Sequence, residues 1–266
     1  MRTKWNHAWL LTATLALGAQ TTPDLQQSQA IRVGETIVED EEMAKVIAPY
    51  ANKIKGTFDV VLTECPKGLF RGRSGDESLL GYWVADLMRA KASDILGAPV
   101  AFAITNSGGL RANMRPGTVK VGTIYEIMPF ENELVIVEFT GAELIQIVKE
   151  GILRRNGEPL SGMRVCLSGP VGAPKYEVTW ADGTPISPTK TYKIATTDYL
   201  AANGDGGATI RNGRKLFMTG VQLRQLLLDE CARLGQAKQP LLPPQANRYA
   251  FTPDILEALK DKKLKW

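Results

Sequence analysis

Two glycine-rich loops hold the polar side chains best placed to bind a small molecule in this sequence of 266 residues. The first loop is 106–109 (Asn-Ser-Gly-Gly), which follows the apolar run 100–105, and the second is 203–207 (Asn-Gly-Asp-Gly-Gly). Loops at strand ends often carry function because a rigid sheet supports them, and glycine lets the backbone approach a ligand closely. Neither loop has the GxxxxGK[ST] or GxGxxG spacing of the familiar phosphate-binding loops. Each loop taken alone therefore indicates no more than a tight turn.

The scarcity of histidine excludes several kinds of catalytic site. The sequence has one histidine, His7, which lies in a segment that we predict is removed from the mature protein. Without histidine, a chain forms neither a Ser-His-Asp triad nor a Cys-His pair. Transition-metal sites usually use histidine or cysteine, and Cys65, Cys166 and Cys231 lack metal-ligand spacing. These cysteines can form at most one disulfide. A carboxylate-only Mg²⁺ or Ca²⁺ site stays open, but Asp205 lacks the further spaced acids of a calcium loop.

The composition is that of an ordinary globular protein. Hydrophobic residues are 44% and charged residues 23%, which excludes a collagen-like or wholly disordered chain. Lys and Arg number 32 against 28 Asp and Glu, so the net charge is 32 − 28 = +4. This mild and mixed charge predicts no binding to a nucleic-acid polymer.

The first nineteen residues have the pattern of a secretory signal peptide. Arg2 and Lys4 precede the apolar run 8–19, which ends in small residues and is too short to span a bilayer. We expect a signal peptide over 1–19, a flexible leader over 20–38, and an exported protein, periplasmic or extracellular, with no transmembrane segment after cleavage. The alternative is an N-terminus that is disordered or rests on a membrane.

Helices and strands alternate irregularly along the rest of the chain. Hydrophobic spacing predicts helices over 39–55, 77–91, 141–153 and 221–234, a helix or turn over 123–130 and a short helix near the end. It predicts strands over 59–63, 100–105, 134–140, 176–180 and 191–196. Pro49 should kink or break the first helix, and a hairpin-type turn at 182–183 should join the last two strands. This pattern favours an α+β fold, a mixed sheet with packed helices, over residues 39–235, followed by a C-terminal extension over 236–266.

Four motifs in order resemble one known family. They are 77–86 (Glu-Ser-Leu-Leu-Gly, then Ala-Asp), 106–111 (Asn-Ser-Gly-Gly-Leu-Arg), 128–132 (Met-Pro-Phe-Glu-Asn, then a strand and Thr-Gly-Ala-Glu-Leu) and 198–206 (Asp-Tyr-Leu-Ala-Ala-Asn-Gly-Asp-Gly). This set resembles the C-terminal domain of the 5′-nucleotidase family, from about residue 71 to residue 207. The ordered combination is far more specific than any one motif.

The resemblance implies a site that binds the nucleoside part of a nucleotide. Phe130 and Tyr199 would sandwich the base, and base–aromatic stacking contributes about 1–3 kcal/mol per base. Asp205 would accept hydrogen bonds from the ribose hydroxyls, and Arg111 would reach the phosphate or ribose. For each of these residues a structural role remains the alternative: core, loop packing, turn formation or surface charge.

The loops complete this predicted substrate-binding set with Asn106, Gly108, Gly109 and Asn203. The family's ligand-binding Arg just before the Glu of the first motif is Asp76 here, and Tyr82 replaces a usually small polar residue. Arg73 is therefore a further candidate, as is Arg71, for the missing contact.

In the family, catalysis belongs to a separate N-terminal metallophosphatase domain whose two metals use Asp, His and Asn ligands. The segment before residue 71 is too short for that domain, and helix 39–55 is similar to the family's interdomain connector. We therefore expect no catalytic residue, metal site or cofactor in this chain. We expect nucleotide recognition in nucleotide catabolism, without hydrolysis by the chain alone, beside a separately encoded metallophosphatase that holds the divalent metals. The alternatives are a structural or interaction protein that has lost the pocket, and a hydrolase that uses carboxylates only.

Overall fold

A computed structural model describes residues 34, 37–72, 77–202 and 207–264. The backbone divides into two units, 1–47 and 48–266. In the first unit, the described residues are Gly34 and 37–47, so the predicted signal peptide and most of the predicted leader lie outside them. Helix α1 (Glu41–Phe58) begins where Asp40 Oδ1 accepts the N–H groups of Glu42 and Met43, each at 3.0 Å. It continues through Pro49, so this proline does not end the helix.

The second unit alternates strands and helices. In chain order its elements are β1 (Val61–Cys65), α2 (Leu79–Leu96), β2 (Phe102–Ile104), β3 (Gly117–Lys120), α3 (Val121–Ile127), β4 (Glu133–Thr140), α4 (Gly141–Arg155), β5 (Leu160–Ser161), β6 (Met163–Ser168), β7 (Lys175–Trp180), β8 (Thr191–Thr197), α5 (Asp198–Ala202), β9 (Arg214–Gln222), α6 (Leu223–Gln236), β10 (Tyr249–Phe251) and α7 (Pro253–Lys260). Of the described residues, no helix is both long and apolar enough to cross a membrane.

A five-stranded mixed sheet lies at the centre of this unit. Its strand order is β5-β2-β8-β4-β9, in which β2 and β8 run parallel and the other pairs are antiparallel. Two smaller sheets, β1-β3 and β10-β6-β7, accompany it. The predicted α+β class, a mixed sheet with packed helices, is confirmed.

Strand β4, inside the central sheet, is buried on both faces. Along β4, Leu134 and Ile136 pack into one apolar cluster with buried residues of α2 and α6. Their neighbours Val135 and Val137 point to the other face, into a second cluster with residues of α4, β6 and α7. Strands buried on both faces show continuous apolar runs instead of alternation, which explains why 134–140 was recognisable as a strand.

The predicted hairpin between the strands at 176–180 and 191–196 is wrong. β7 pairs antiparallel with β6, whereas β8 lies between β2 and β4 in the other sheet. The turn itself exists, because Gly183 has φ +86° and its N–H donates to the Trp180 carbonyl. It leads only to an isolated bridge between Thr179 and Pro185. The prediction failed because β6, the true partner of β7, was not recognised from the sequence.

The stretch after residue 235 contributes to this unit. β10 adds a parallel strand beside β6, and α7, which has Pro253 in its first turn, buries Ile255, Ala258 and Leu259 in the second cluster. A proline suits the first turn because the N–H it lacks would have no helical partner there.

Candidate functional site

Three of the predicted segments leave the central sheet at the same edge. β2 and β8 run parallel, so both of their carboxyl ends point to this edge. β4 runs antiparallel to β8 with Leu134 opposite Thr197, so β4 begins where β8 ends. Loop 106–111 after β2, loop 128–132 before β4 and the start of α5 after β8 are therefore neighbours. We call this place the aromatic edge, because Phe130 and Tyr199 lie on it.

The segment before β5 fixes the first loop through two hydrogen bonds. The N–H of Thr105 donates to the Pro159 carbonyl at 3.0 Å, and the N–H of Ser107 donates to Glu158 Oε2 at 2.7 Å. Pro159 also packs on α2, where a Cβ at Gly81 would lie 2.4 Å from the proline ring. Gly81 belongs to the first sequence motif, so that glycine acts on the loop through Pro159.

Asn106 is a buried amide with an unused acceptor. The residue is only 7% exposed, and its Oδ1 is buried without a hydrogen-bond partner. A Cβ at Gly109 would lie 3.2 Å from this oxygen, so the glycine leaves room for the amide. An unsatisfied buried polar group costs about 1–3 kcal/mol. An unpaired buried acceptor of this kind calls for an explanation, and a donor on a bound ligand would be one.

Arg111 connects the first loop to Phe130. Its guanidinium carbon lies 5.9 Å from the centroid of the Phe130 ring, within cation–π range. The N–H of Arg111 donates to the Ile127 carbonyl at 2.8 Å, which ties the loop to the end of α3. Phe130 is 46% exposed, so it is not part of the core.

Tyr199 is also exposed, at 40%, and its loop is bound to the Phe130 loop through Asp198. Asp198 Oδ1 accepts the N–H of Tyr199 at 2.7 Å and the N–H of Glu133, at the start of β4, at 3.1 Å. One carboxylate oxygen thus fixes the backbone beside both rings. Neither ring is buried in the core.

Arg71 lies beside the same loop. Its Nη1 donates to the Arg111 carbonyl at 3.1 Å, and its backbone N–H donates to Asn113 Oδ1 at 3.0 Å. Its Nε is buried without a partner. Arg71 is therefore placed next to Arg111, where it can supply a second positive charge.

The other predicted site residues, Arg73, Asn203 and Asp205, lie outside the described residues. The chain returns at Gly207, which has φ +103°. Two residues later, Thr209 donates its hydroxyl to Glu150 Oε1 at 2.6 Å and its N–H to Glu150 Oε2 at 3.3 Å. Thr209 is therefore anchored to α4.

Sequence reasoning missed Arg224, which fixes the Phe130 loop from α6. The Arg224 side chain donates to the carbonyls of Met128 and Pro129 at 3.4 and 2.9 Å and pairs with Glu131 at 3.2 Å. Its guanidinium also lies 4.5 Å from the Tyr125 ring centroid. The residue is only 9% exposed. In the sequence, Arg224 is recognisable only as a charged residue directly after the apolar Leu223. This position does not indicate which groups the arginine contacts.

Potential metal ligands among the described residues do not cluster. Within 34, 37–72, 77–202 and 207–264, no three His, Cys, Asp or Glu side chains are grouped so that they could hold a metal ion. The three cysteines are unpaired, and burial raises the pKa of the Cys231 thiol to about 12. What the aromatic edge can do is stack a flat ring, attract an anion and accept a hydrogen bond.

Comparison with known proteins identifies the domain. The family model described as "5′-nucleotidase, C-terminal domain" matches residues 56–211. The chain is 29% identical over 175 residues to the trifunctional nucleotide phosphoesterase protein YfkN of Bacillus subtilis, across 62% of this chain and 12% of YfkN. It is 30% identical over 142 residues to cell wall protein Lmo0130 of Listeria monocytogenes, across 49% of this chain and 18% of that protein.

A solved structure shows the same fold. The crystal structure of the 5′-nucleotidase precursor from Thermus thermophilus superposes with a TM-score of 0.68 at 24% identity, covering 81% of this chain and 44% of that chain. This chain thus spans less than half the length of each of the three proteins. The family model covers more than half of the sequence, and so the chain belongs to the 5′-nucleotidase family through its C-terminal domain.

Proposed function

We propose that this chain recognises nucleotides or nucleosides at the aromatic edge, with the base held between Phe130 and Tyr199. One observation carries the proposal: two exposed aromatic side chains lie at the same edge of one sheet, Phe130 on the loop before β4 and Tyr199 on α5, whose Asp198 accepts the N–H of Glu133 at the start of β4. Exposed aromatic rings are costly to leave in water, and every base has a flat face that can stack on them. Stacking alone discriminates little between bases.

The polar groups beside the rings support the same ligand. Arg111 places a positive charge beside Phe130, and Arg71 donates to the backbone carbonyl of Arg111; two arginines in this loop region suit a phosphate. The unused Oδ1 of Asn106 suits a donor such as an exocyclic amine or a hydroxyl of the ligand. In the proposal, Asn203 and Asp205 complete the site at the ribose, with Gly108 and Gly109 giving the backbone room.

The proposal assigns recognition to this chain and hydrolysis to a separately encoded metallophosphatase that holds the divalent metals. Two-metal phosphoryl transfer needs a set of oxygen and nitrogen ligands, and the 266 residues contain one histidine, His7, inside the predicted signal peptide. The family name and the name of the relative YfkN support a role in nucleotide breakdown.

Export completes the proposal. The supporting features are the basic and apolar pattern of residues 1–19 and the similarity to a protein named as a cell wall protein. The protein would then act on nucleotides in the periplasm or outside the cell.

Calorimetry on the full chain tests the recognition step. We expect AMP, UMP and adenosine to bind, and Phe130→Ala or Tyr199→Ala to weaken adenosine binding by about 1–3 kcal/mol each. Phe217→Ala is the matched control, because this phenylalanine is exposed to 49% on β9, opposite Ile136 in the middle of β4. No heat at millimolar ligand, or equal losses in all three variants, would instead favour a structural or interaction protein.

A second assay tests the division of labour. Purified protein should release no phosphate from AMP at a useful rate when Mn²⁺ or Zn²⁺ is added. Sustained turnover by the chain alone would show that the recognition-only assignment is wrong, whatever the affinity for AMP.

A further inference from the structure

A concave site borders Ser107, in the first loop. A cavity of about 560 Å³ opens between the carboxyl-terminal ends of α4 and α7 and reaches Ser107. This volume is within the range of small-molecule sites. The cavity is lined by Ser107, Leu153, Arg154, Asn156, Leu259, Lys260, Lys262 and Leu264. None of the residues predicted to contact the nucleoside lines it, so it is distinct from the aromatic edge.

The cavity is strongly positive. Its charged lining residues are Arg154 at the end of α4 and Lys260 and Lys262 at the end of α7. Among the described residues, none of the three cations forms an ion pair, and the nearby Asp261 is occupied by Lys263 at 2.7 Å. No acidic side chain of the described ranges lines the cavity. Three cations around one concave surface repel each other, and an anion between them removes that repulsion.

The helix dipoles explain only part of this arrangement. A cation near a helix carboxyl terminus is stabilised by about 0.3–1 kcal/mol, which accounts for Arg154 and Lys260 separately. The dipole gives no reason for the two helix ends to lie at one cavity. It also does not explain Lys262, which lies beyond α7, has a left-handed backbone conformation (φ +55°) and lines the same cavity. A shared anionic ligand does give one.

The cavity also has an apolar side. Leu259 and Leu264 are buried at 4% and 8% exposure, and Leu153 is 43% exposed at the opening. An inorganic anion would use the cations alone. A ligand that carries an apolar group beside its charge would cover Leu153 as well.

We propose that this cavity, which we call the basic cavity, binds an organic phosphate: a small molecule that joins a phosphate dianion to an apolar group. The phosphate lies among Arg154, Lys260 and Lys262, and the apolar group lies on Leu153 and Leu259. The site does not depend on the aromatic rings, so it can hold its ligand whether or not a nucleoside is bound at the edge.

Phenyl phosphate is a suitable probe because it has no nucleobase. Binding is measured by calorimetry at low salt on the full chain that carries Phe130→Ala and Tyr199→Ala, so that the rings cannot stack the phenyl group. In this background, Arg154→Gln with Lys260→Gln and Lys262→Gln should weaken phenyl phosphate binding by about tenfold or more. The matched control is Lys53→Gln with Lys67→Gln and Lys175→Gln, which removes the same charge from exposed sites elsewhere.

The outcomes separate the possibilities. Retained binding in the control and loss in the cavity variant supports the basic cavity. Equal losses in both variants mean attraction by net charge alone, and no binding by the parent chain means no site; either result overturns the proposal. Inorganic phosphate that binds as tightly as phenyl phosphate would contradict the apolar half of the ligand. Loss of adenosine binding in the Phe130 and Tyr199 variants tests the other site separately.

Discussion

The aromatic edge and the basic cavity both involve the loop 106–109, and they differ in the kind of side chain they present. At the edge, two exposed rings are accompanied by a buried amide, and the nearby charge of Arg224 is neutralised by carbonyls and Glu131. In the cavity, three cations meet without a described counter-ion. The difference teaches that one loop can serve two places of different chemistry: an edge where exposed rings accompany Arg111, and a cavity whose charged lining residues are all cations. Four predictions test this comparison.

The largest effect is expected from Arg224→Met, which keeps an unbranched, flexible side chain and removes the guanidinium with its charge. The carbonyls of Met128 and Pro129 lose their donor, and hydrogen bonds from a charged group contribute about 1.5–3 kcal/mol. Urea unfolding should show a loss of about 2–3 kcal/mol, and calorimetry should show weaker adenosine binding with phenyl phosphate binding unchanged.

Arg233→Met is the control for this prediction, because Arg233 is an exposed arginine on the same helix that pairs with Glu230. Exposed pairs contribute about 0–1 kcal/mol. If the two variants lose the same stability, or if Arg224→Met weakens both ligands alike, Arg224 does not act specifically on the Phe130 loop.

Asn106→Ala should separate binding from stability. The buried Oδ1 has no partner in the free protein, so its removal should change the free energy of unfolding by less than about 1 kcal/mol. Adenosine affinity should fall by about fivefold to tenfold, because the ligand loses its acceptor. Asn113→Ala is the contrast, since Asn113 Oδ1 already accepts the Arg71 N–H and its loss should lower stability. A stability loss at Asn106 as large as that at Asn113 would argue against a ligand-binding amide.

Salt should distinguish the two sites with a smaller effect. Raising NaCl shortens the Debye length from about 10 Å at 0.1 M to about 3 Å at 1 M. Phenyl phosphate binding at the basic cavity should weaken several-fold over this range, whereas binding of the uncharged adenosine at the aromatic edge should change by less than about twofold. Equal sensitivity of both ligands, measured by calorimetry, would remove the electrostatic distinction.

The smallest effect concerns the opposite end of α4, where the charges are paired. Glu143 accepts two hydrogen bonds from Arg214, at 2.8 and 2.6 Å, and this contact lowers the pKa of the Glu143 carboxyl from 4.5 to about 2. Because the folded pKa is depressed, the contribution is present above about pH 4.5 and is lost as pH falls toward 2. Both side chains are partly exposed, so the loss should stay below about 1 kcal/mol.

Urea unfolding between about pH 5 and about pH 3 measures this contribution. Arg214→Gln should flatten the pH dependence of the free energy of unfolding, while leaving phenyl phosphate binding at the other end of the helix unchanged. An unchanged slope in the variant would mean that the pair adds nothing to acid stability.

Much of the fold was predictable because its signals are local. The strand predicted at 134–140 is β4, and helix 141–153 begins at Gly141 as expected, where Thr140 and Glu143 cap each other. The order of motifs also placed Phe130, Tyr199, Asn106 and Arg111 in one family site, and the structure brings their segments to one edge. Such signals depend on residues a few positions apart, or on a pattern that a family shares.

Long-range partners were not predictable in this way. The pairing of β7 with β6, the reach of Arg224 to carbonyls more than ninety residues earlier, and the meeting of Arg154 with Lys260 around one cavity leave no mark in local spacing. Two strands of suitable composition can pair with several others, and an isolated arginine on a helix can face solvent or a distant loop.

The sequence by itself determined where the longer helices and several of the strands form, and which family the chain resembles, because hydrophobic periodicity and ordered motifs are properties of neighbouring residues. Only the tertiary structure decided that the two rings share an edge, that one buried arginine holds the loop of the first ring, and that the cations of two helix ends converge. Those facts follow from strand register and helix packing, which are set when the whole sheet closes and not by any one segment.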